Sequence, residues 1–432
     1  MGALKREIGL FGATAYGVGI IVGAGVYALI GTTAGYAGNS VWLSFVLAAT
    51  IASFTGLSYA ELSSALPVSG GEYTYVKKSF ESRFGAFLVG WLVAISGIIS
   101  SATVALGFAG YFQAYVNLPL YVPAIAVIAI LSVVNFLGIK ESIIVNTILT
   151  IVEVAGLILI IVLGARFFGT VNYLETPKGP SGLIVATSLI FFAFTGFESL
   201  AKIGEETKDP KNTLPKALLF SLIISTLLYI GVAISAVSVV PYQQLANSTS
   251  PFVDVALKAQ GLETATTLSI IALISTANTV LILLIATSRI LYGMSEDCSL
   301  PQLLRRVHPA RRTPWAAIIL TLAVSVVFTL FGDIEFVASV TNFVTFTVFL
   351  IVNLALINLH RKNTVDKTKI SKKLSIRGIP ILAMLGVILS FVMLFQFSFL
   401  ISSMALLLLF IGVLAYLIFR KRIEPTSCKP IV

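Results

Sequence analysis

Ionisable side chains are scarce within the apolar stretches of this 432-residue chain, so each one found there is a candidate for chemistry. Glu153 is the foremost. It lies about eleven residues into an apolar run of about 26, in Asn146-Thr147-Ile148-Leu149-Thr150-Ile151-Val152-Glu153-Val154, with no Lys or Arg beside it in sequence. A charge at the centre of a membrane helix costs about 2.5 to 3.5 kcal/mol even on insertion scales, so such a carboxyl needs a reason to be there. It can take a proton, hold a cation or attract a cationic substrate. Glu198 and Lys202 stand four apart with the acid first, which puts them on one helical face as an ion pair, serving as a helix anchor or as an inner gate. Glu61 and Arg289 lie near the ends of apolar runs and can reach the interface. Ser275 and Asn278 offer oxygens at membrane depth. No His, Cys and acid grouping has metal-ligand spacing, and no nucleophile and base pair up within the apolar runs. The expectation is therefore no catalytic residue, no metal, no cofactor and no enzyme. Cys298 and Cys428 both fall on the strongly basic side of the chain, where no disulfide is expected.

Backbone groups are the second source of chemistry. Gly17-Val18-Gly19-Ile20-Ile21-Val22-Gly23-Ala24-Gly25 carries four glycines in nine residues, each costing about 1 kcal/mol relative to Ala inside a helix. The helix is expected to unwind near Gly23 to Gly25. That would expose N–H groups at the start of a second half-helix, whose positive dipole end favours a carboxylate. Close helix packing is the alternative, since Gly19 with Gly23 and Gly31 with Gly35 are GxxxG pairs. A second interruption lies in Phe191-Phe192-Ala193-Phe194-Thr195-Gly196-Phe197-Glu198. Irregular backbone at membrane depth is tolerated only where protein buries it or it lines a wet cavity.

The elements that position these groups are membrane helices. At 57% hydrophobic and 11% charged residues, with a mean hydropathy of +0.99, the chain has too little polar surface for a water-soluble globule. A bilayer core about 30 Å thick needs roughly 20 apolar residues per helix. The runs predict twelve spans, at 9–36, 40–66, 84–112, 121–138, 143–168, 182–202, 214–240, 263–295, 314–331, 335–359, 379–397 and 399–420. The first is too long and glycine-broken for a removable signal peptide. Of the 29 Lys and Arg residues, 26 fall on the side of the amino terminus, leaving Arg166, Lys178 and Lys258 opposite. This asymmetry predicts a multi-pass protein of the cell membrane with both termini in the cytoplasm. It argues against a nucleic-acid surface, because the charges flank apolar spans without interleaved aromatics; the lipid bilayer is the expected partner. Spans one and six are five apart, and an odd repeat reverses membrane orientation. Residues 1–178 and 179–360 can thus be inverted repeats, each opening with a broken helix, followed by two further spans and a cytoplasmic tail in 361–432. Paired breaks of this kind point to a midplane site in a secondary transporter.

The glycine-rich stretch from Gly17 to Gly25 resembles the first-helix signature of the amino acid, polyamine and organocation (APC) transporters. Further likenesses are Pro67-Val68-Ser69-Gly70-Gly71-Glu72-Tyr73, Gly196-Phe197-Glu198 with Glu205 to Pro215, Ser288 to Asp297, and His308-Pro309 to Thr313-Pro314. The resemblance implies the LeuT-type inverted-repeat fold and alternating access around a central site. It implies that the amides of Gly23, Ala24 and Gly25 meet a substrate carboxylate, and that carbonyls of Ile21, Val22, Phe192, Ala193 and Thr195 meet its ammonium. The site segment runs on through Phe194 and Gly196, with Phe192 as an aromatic gate. Ala24 stands where a hydroxyl residue is common in the family. Glu153 departs from the lysine that some proton-coupled members carry at the corresponding position, and Ala277-Asn278 is not the paired-hydroxyl arrangement of a sodium site. The expected function is secondary active transport of amino acids coupled to protons, by symport or antiport. Sodium coupling, or exchange of amino acids or polyamines, is the alternative. A channel would need a continuous polar file or a repeated selectivity loop, and neither is visible. The chain is expected to act as a monomer or a homodimer.

Overall fold

Each expected span is realised as a helix or an interrupted pair of helices. The computed structural model describes residues 8–66, 71–138, 143–204, 207–362, 375–376 and 379–419. The first span is α1 (Leu10–Ile21) and α2 (Ala24–Ala37), followed by α3 (Val41–Ala65), α4 (Gly71–Phe80), α5 (Arg83–Phe112), α6 (Tyr121–Leu137) and α7 (Ile143–Ala165). The sixth span is α8 (Gly179–Ile190), running into two 3₁₀ turns, Phe191–Phe194 and Phe197–Ile203. Then come α9 (Pro210–Val239), α10 (Tyr242–Ala246), α11 (Pro251–Gln260), α12 (Leu262–Glu296), α13 (Trp315–Thr329), α14 (Ile334–Arg361), α15 (Ile381–Leu394) and α16 (Phe399–Phe419). Among the described residues, seven helical stretches are long and apolar enough to cross a bilayer, and five apolar helices are shorter. Strand pairing among the described residues is limited to a two-residue antiparallel contact of Ser375–Ile376 with Ile379–Pro380 and an isolated bridge from Ile8 to Thr207.

Local chemistry sets where helices begin. Asp333 accepts from the amides of Glu335 and Phe336 to start α14, and Ser82 accepts from the amide of Gly85 to start α5. Pro210 and Pro251 open α9 and α11, where a missing N–H is harmless. Along α7, Ile148, Ile151, Ile158 and Val162 are exposed, whereas Glu153, Leu157 and Ile160 are buried, so the helix presents an apolar outer stripe and turns its one acid inward.

The sequence missed α4, α10 and α11, which lie between spans. α10 packs on α2 through the second glycine pair: a Cβ on Gly31 would run into the Leu245 carbonyl, and one on Gly35 would come within 2.8 Å of Ala246 Cβ. These two glycines therefore serve close packing. α4 is tied to the end of α14, where Ser79 Oγ donates to the Ala355 carbonyl and Asn358 Nδ2 donates to the Ser79 carbonyl, both within 3 Å. Outside the membrane, Lys362 Nζ meets Glu81 Oε1 at 2.7 Å and holds that carboxyl below the usual carboxylate range. Cys298 is disulfide-bonded, which corrects the expectation that it carries a free thiol.

Candidate substrate-binding site

The two interruptions meet. In the first span the α-helix ends at Ile21 and restarts at Ala24, leaving Val22 and Gly23 as the linker, with Gly23 extended at φ −126° and ψ −162°. The break thus falls short of the expected Gly23 to Gly25, and Gly25 lies inside α2. Its lack of a side chain has a different use, because a Cβ there would come within 2.7 Å of Ala193 Cα. In the sixth span Thr195 is extended and Gly196 takes φ +114°, a conformation open mainly to glycine. A Cβ on Gly196 would also sit 2.6 Å from Ile20 Cγ2. Two glycines thus let the two broken segments touch backbone to backbone. Tyr229 of α9 joins them, its hydroxyl donating to the Ile21 carbonyl at 2.7 Å and lying 3.0 Å from the Ala193 carbonyl.

Beside this junction lies a cavity of about 520 Å³. Of the residues singled out in the sequence, Ile21, Gly23, Ala24, Gly25, Phe192, Ala193, Thr195, Gly196, Glu153, Asn278 and Glu198 line it. Val22 and Phe194 do not; both are fully buried, and Phe194 packs against Phe45 and Tyr229. Ser275 is buried behind the wall and does not line the cavity. The side chain of Lys202 lies outside the described residues, as do Pro67 to Gly70 and Glu205 with Glu206. Glu198 has a local role: its Oε2 accepts from the Gly196 amide at 2.9 Å, capping the second break.

The backbone groups at the breaks are partly engaged. The Gly23 amide donates to the Ile21 carbonyl at 2.9 Å, and the Ala24 amide donates to Thr279 Oγ1 at 3.3 Å. Ile21 O accepts from both Gly23 and Tyr229, while Phe192 O accepts from the amide and the hydroxyl of Thr195 at 3.2 and 2.6 Å. Gly25 sits in the first turn of α2, where amides have no partner within the helix and the helix dipole is positive. An anion suits that end, and the carbonyl of the extended Thr195 beside it suits a cation.

Glu153 faces this junction. Tyr27 donates to its backbone carbonyl at 2.9 Å rather than to its carboxyl. The residue is 2% exposed, Oε1 has no hydrogen-bond partner among the described residues, and the Asn278 side chain hydrogen-bonds to the carboxyl. Behind Glu153, Tyr27 packs on Tyr111 and Phe252, while Tyr111 donates to the Tyr27 carbonyl. Toward the end that carries the amino terminus, the lining continues past Glu72 and Tyr59 to Tyr16, which is 41% exposed.

Sequence reasoning missed two residues here. Thr279 was findable, since it lies one helical turn beyond Ser275 on the same face. Tyr229 gave no signal, being one of 14 tyrosines and set in an ordinary apolar run.

Twelve apolar segments, two of them broken and meeting at a central cavity, define a polytopic helical membrane transporter. The amino acid permease family profile matches residues 8–418, and the chain belongs to that family. It is 30% identical to the branched-chain amino acid permease BcaP of Bacillus subtilis (strain 168), over 97% of this chain and 94% of that protein. It is also 30% identical to a methylthioribose transporter of the same organism, over 84% of this chain and 82% of that protein. Against the chloroplastic cationic amino acid transporter 9 of Arabidopsis thaliana, identity is 32% over 71% of this chain and 58% of that protein.

Proposed function

We propose that the protein is a secondary active transporter that carries amino acids across the cell membrane by alternating access, coupled to protons through Glu153, with both termini in the cytoplasm. The observation that carries this reading is the meeting of the two broken helices at one cavity, with a helix N-terminus for a carboxylate and the extended Thr195 carbonyl for an ammonium. The inverted repeat expected from the spacing of the breaks supplies the rocking motion. Relatives named for branched-chain and for cationic amino acids support the substrate class.

Glu153 supports proton coupling because it is a buried carboxyl in the cavity wall with no Lys, Arg or His among the described lining residues. The test is uptake of a labelled amino acid panel into proteoliposomes under an imposed proton or sodium gradient. Saturable uptake that responds to the proton gradient, with that response lost in Glu153→Gln, supports the proposal. Uptake driven by sodium and indifferent to the proton gradient overturns it, as does a full gradient response in the Gln variant.

A further inference from the structure

Three carboxylic acids line the cavity, namely Glu72, Glu153 and Glu198, and no Lys, Arg or His does so among the described residues. An amino acid zwitterion brings no net charge, and the helix breaks already supply partners for both its ends. Glu153 is then left over. It is 2% exposed, and Oε1 has no hydrogen-bond partner among the described residues. Its one side-chain partner among the described residues is the neutral Asn278, and a buried ionised carboxylate with no opposite charge is strongly unfavourable, so the group is resolved by a proton or by a cation brought to it.

The neighbouring elements supply neither a cation nor a strong donor. α2 presents Tyr27 and α9 presents Tyr229, both titratable, but their hydroxyls donate to the backbone carbonyls of Glu153 and of Ile21 and Ala193. α12 presents Ser275, Asn278 and Thr279, which do not titrate; Asn278 hydrogen-bonds to the Glu153 carboxyl, and Thr279 accepts from the Ala24 amide. α1 meets α7 through Gly19, where a Cβ would come within 3.1 Å of Thr150, and α11 contributes nothing to the cavity wall. The rest of the lining is neutral apart from Glu72 and Glu198, with Ile282 and Leu283 giving the same wall of α12 an apolar stretch. In such surroundings the attraction between the Glu153 carboxylate and a positive charge brought to it is weakly screened.

We propose that the Glu153 carboxyl is a subsite for a second positive charge on the substrate, so that the transporter selects amino acids with a cationic side chain and exchanges that charge against a proton. This rests on the amino acid reading above and gives it a direction: the arriving ammonium displaces the proton from Glu153 into the cavity water, and its departure lets a proton return. Proton and substrate then occupy one group in turn, which is the linkage required for antiport.

The experiment compares lysine with norleucine, which has the same carbon chain without the terminal ammonium, by equilibrium binding to the purified full-length protein. The expected result is about tenfold or tighter binding of lysine, as for a charge-assisted hydrogen bond. The preference should shrink between about pH 8 and about pH 5 as protons compete for a carboxyl, while norleucine binding holds level. In Glu153→Gln the ratio of the two affinities should fall to about one. Equal binding of both ligands by the wild type overturns the cation subsite while leaving the amino acid reading intact, and so does a preference that persists in the Gln variant or tightens at low pH. Binding of neither overturns both. If Glu153→Gln does not purify as folded protein, the wild-type ratio and its pH dependence decide the matter.

Discussion

The Tyr229 hydroxyl stands 2.7 Å from the Ile21 carbonyl oxygen, so a side chain of α9 holds the last turn of the first half-helix. The same hydroxyl reaches the Ala193 carbonyl at 3.0 Å, which makes it a staple across both breaks. Tyr229→Phe keeps the ring packing on Phe45 and Phe194 and removes only the hydroxyl. The Ile21 carbonyl keeps the Gly23 amide, while the Ala193 carbonyl loses the hydroxyl, at about 1 to 3 kcal/mol for an unsatisfied buried group. The expected outcome is a lower Tm and an amino acid Kd weakened by about tenfold, read by thermal unfolding and equilibrium binding. A variant that matches the wild type in both would remove Tyr229 from the site.

Gly25 and Gly23 stand two residues apart and are predicted to respond differently. A Cβ on Gly25 meets the Ala193 backbone at 2.7 Å, whereas one on Gly23 first meets Thr279 Oγ1 at 3.4 Å, ordinary contact. Gly25→Ala should therefore cost about 1 to 3 kcal/mol by overpacking against backbone that cannot yield, and Gly25→Val should fail to accumulate as folded protein. Gly23→Ala should fold with a Tm close to the wild type, because its φ of −126° suits any residue. Thermal unfolding of the three variants checks this; equal stability of Gly23→Ala and Gly25→Ala would refute the packing role.

Much of this was legible in the sequence, for identifiable reasons. Span positions follow from apolar runs, which the bilayer makes nearly obligatory. Gly196 was readable because a glycine after Thr195, at the centre of an apolar run, has little use except a break. The first break was misplaced because glycine signals both backbone freedom and close approach, and Gly23 and Gly25 serve one each. α10 and α11 were invisible because what fixes them is contact with Gly31, Gly35 and Tyr27, far away in sequence. Glu153 was found by its cost, while Tyr229 and Thr279 act on distant backbone that no local pattern reveals.

The charge partition predicts sidedness, which labelling can check. Asn247 follows α10 and is exposed, and Ser371 lies in the basic stretch outside the described residues. With Cys298 and Cys428 replaced, an impermeant thiol reagent should label Asn247→Cys and miss Ser371→Cys in intact cells. The reverse pattern would invert the topology.

Thr279 makes the sharpest claim on the substrate carboxylate. Its hydroxyl donates to the Ser275 carbonyl at 3.0 Å and accepts from the Ala24 amide at 3.3 Å, one of the donors at the start of α2. A carboxylate arriving at that helix end competes with the hydroxyl for the amide. Thr279→Val has nearly the same shape and leaves the amide without an acceptor, so the ligand-free protein should lose stability by about 1 to 3 kcal/mol. Bound substrate supplies the missing acceptor, and the complex should lose little. Amino acid binding should consequently tighten, by up to about tenfold, and the substrate-induced rise in Tm should grow. Thr279→Ser should restore wild-type values, since the hydroxyl returns. Measuring ligand-induced thermal shifts for the three proteins decides the question: a smaller shift in the Val variant would mean that Thr279 holds the substrate rather than its place.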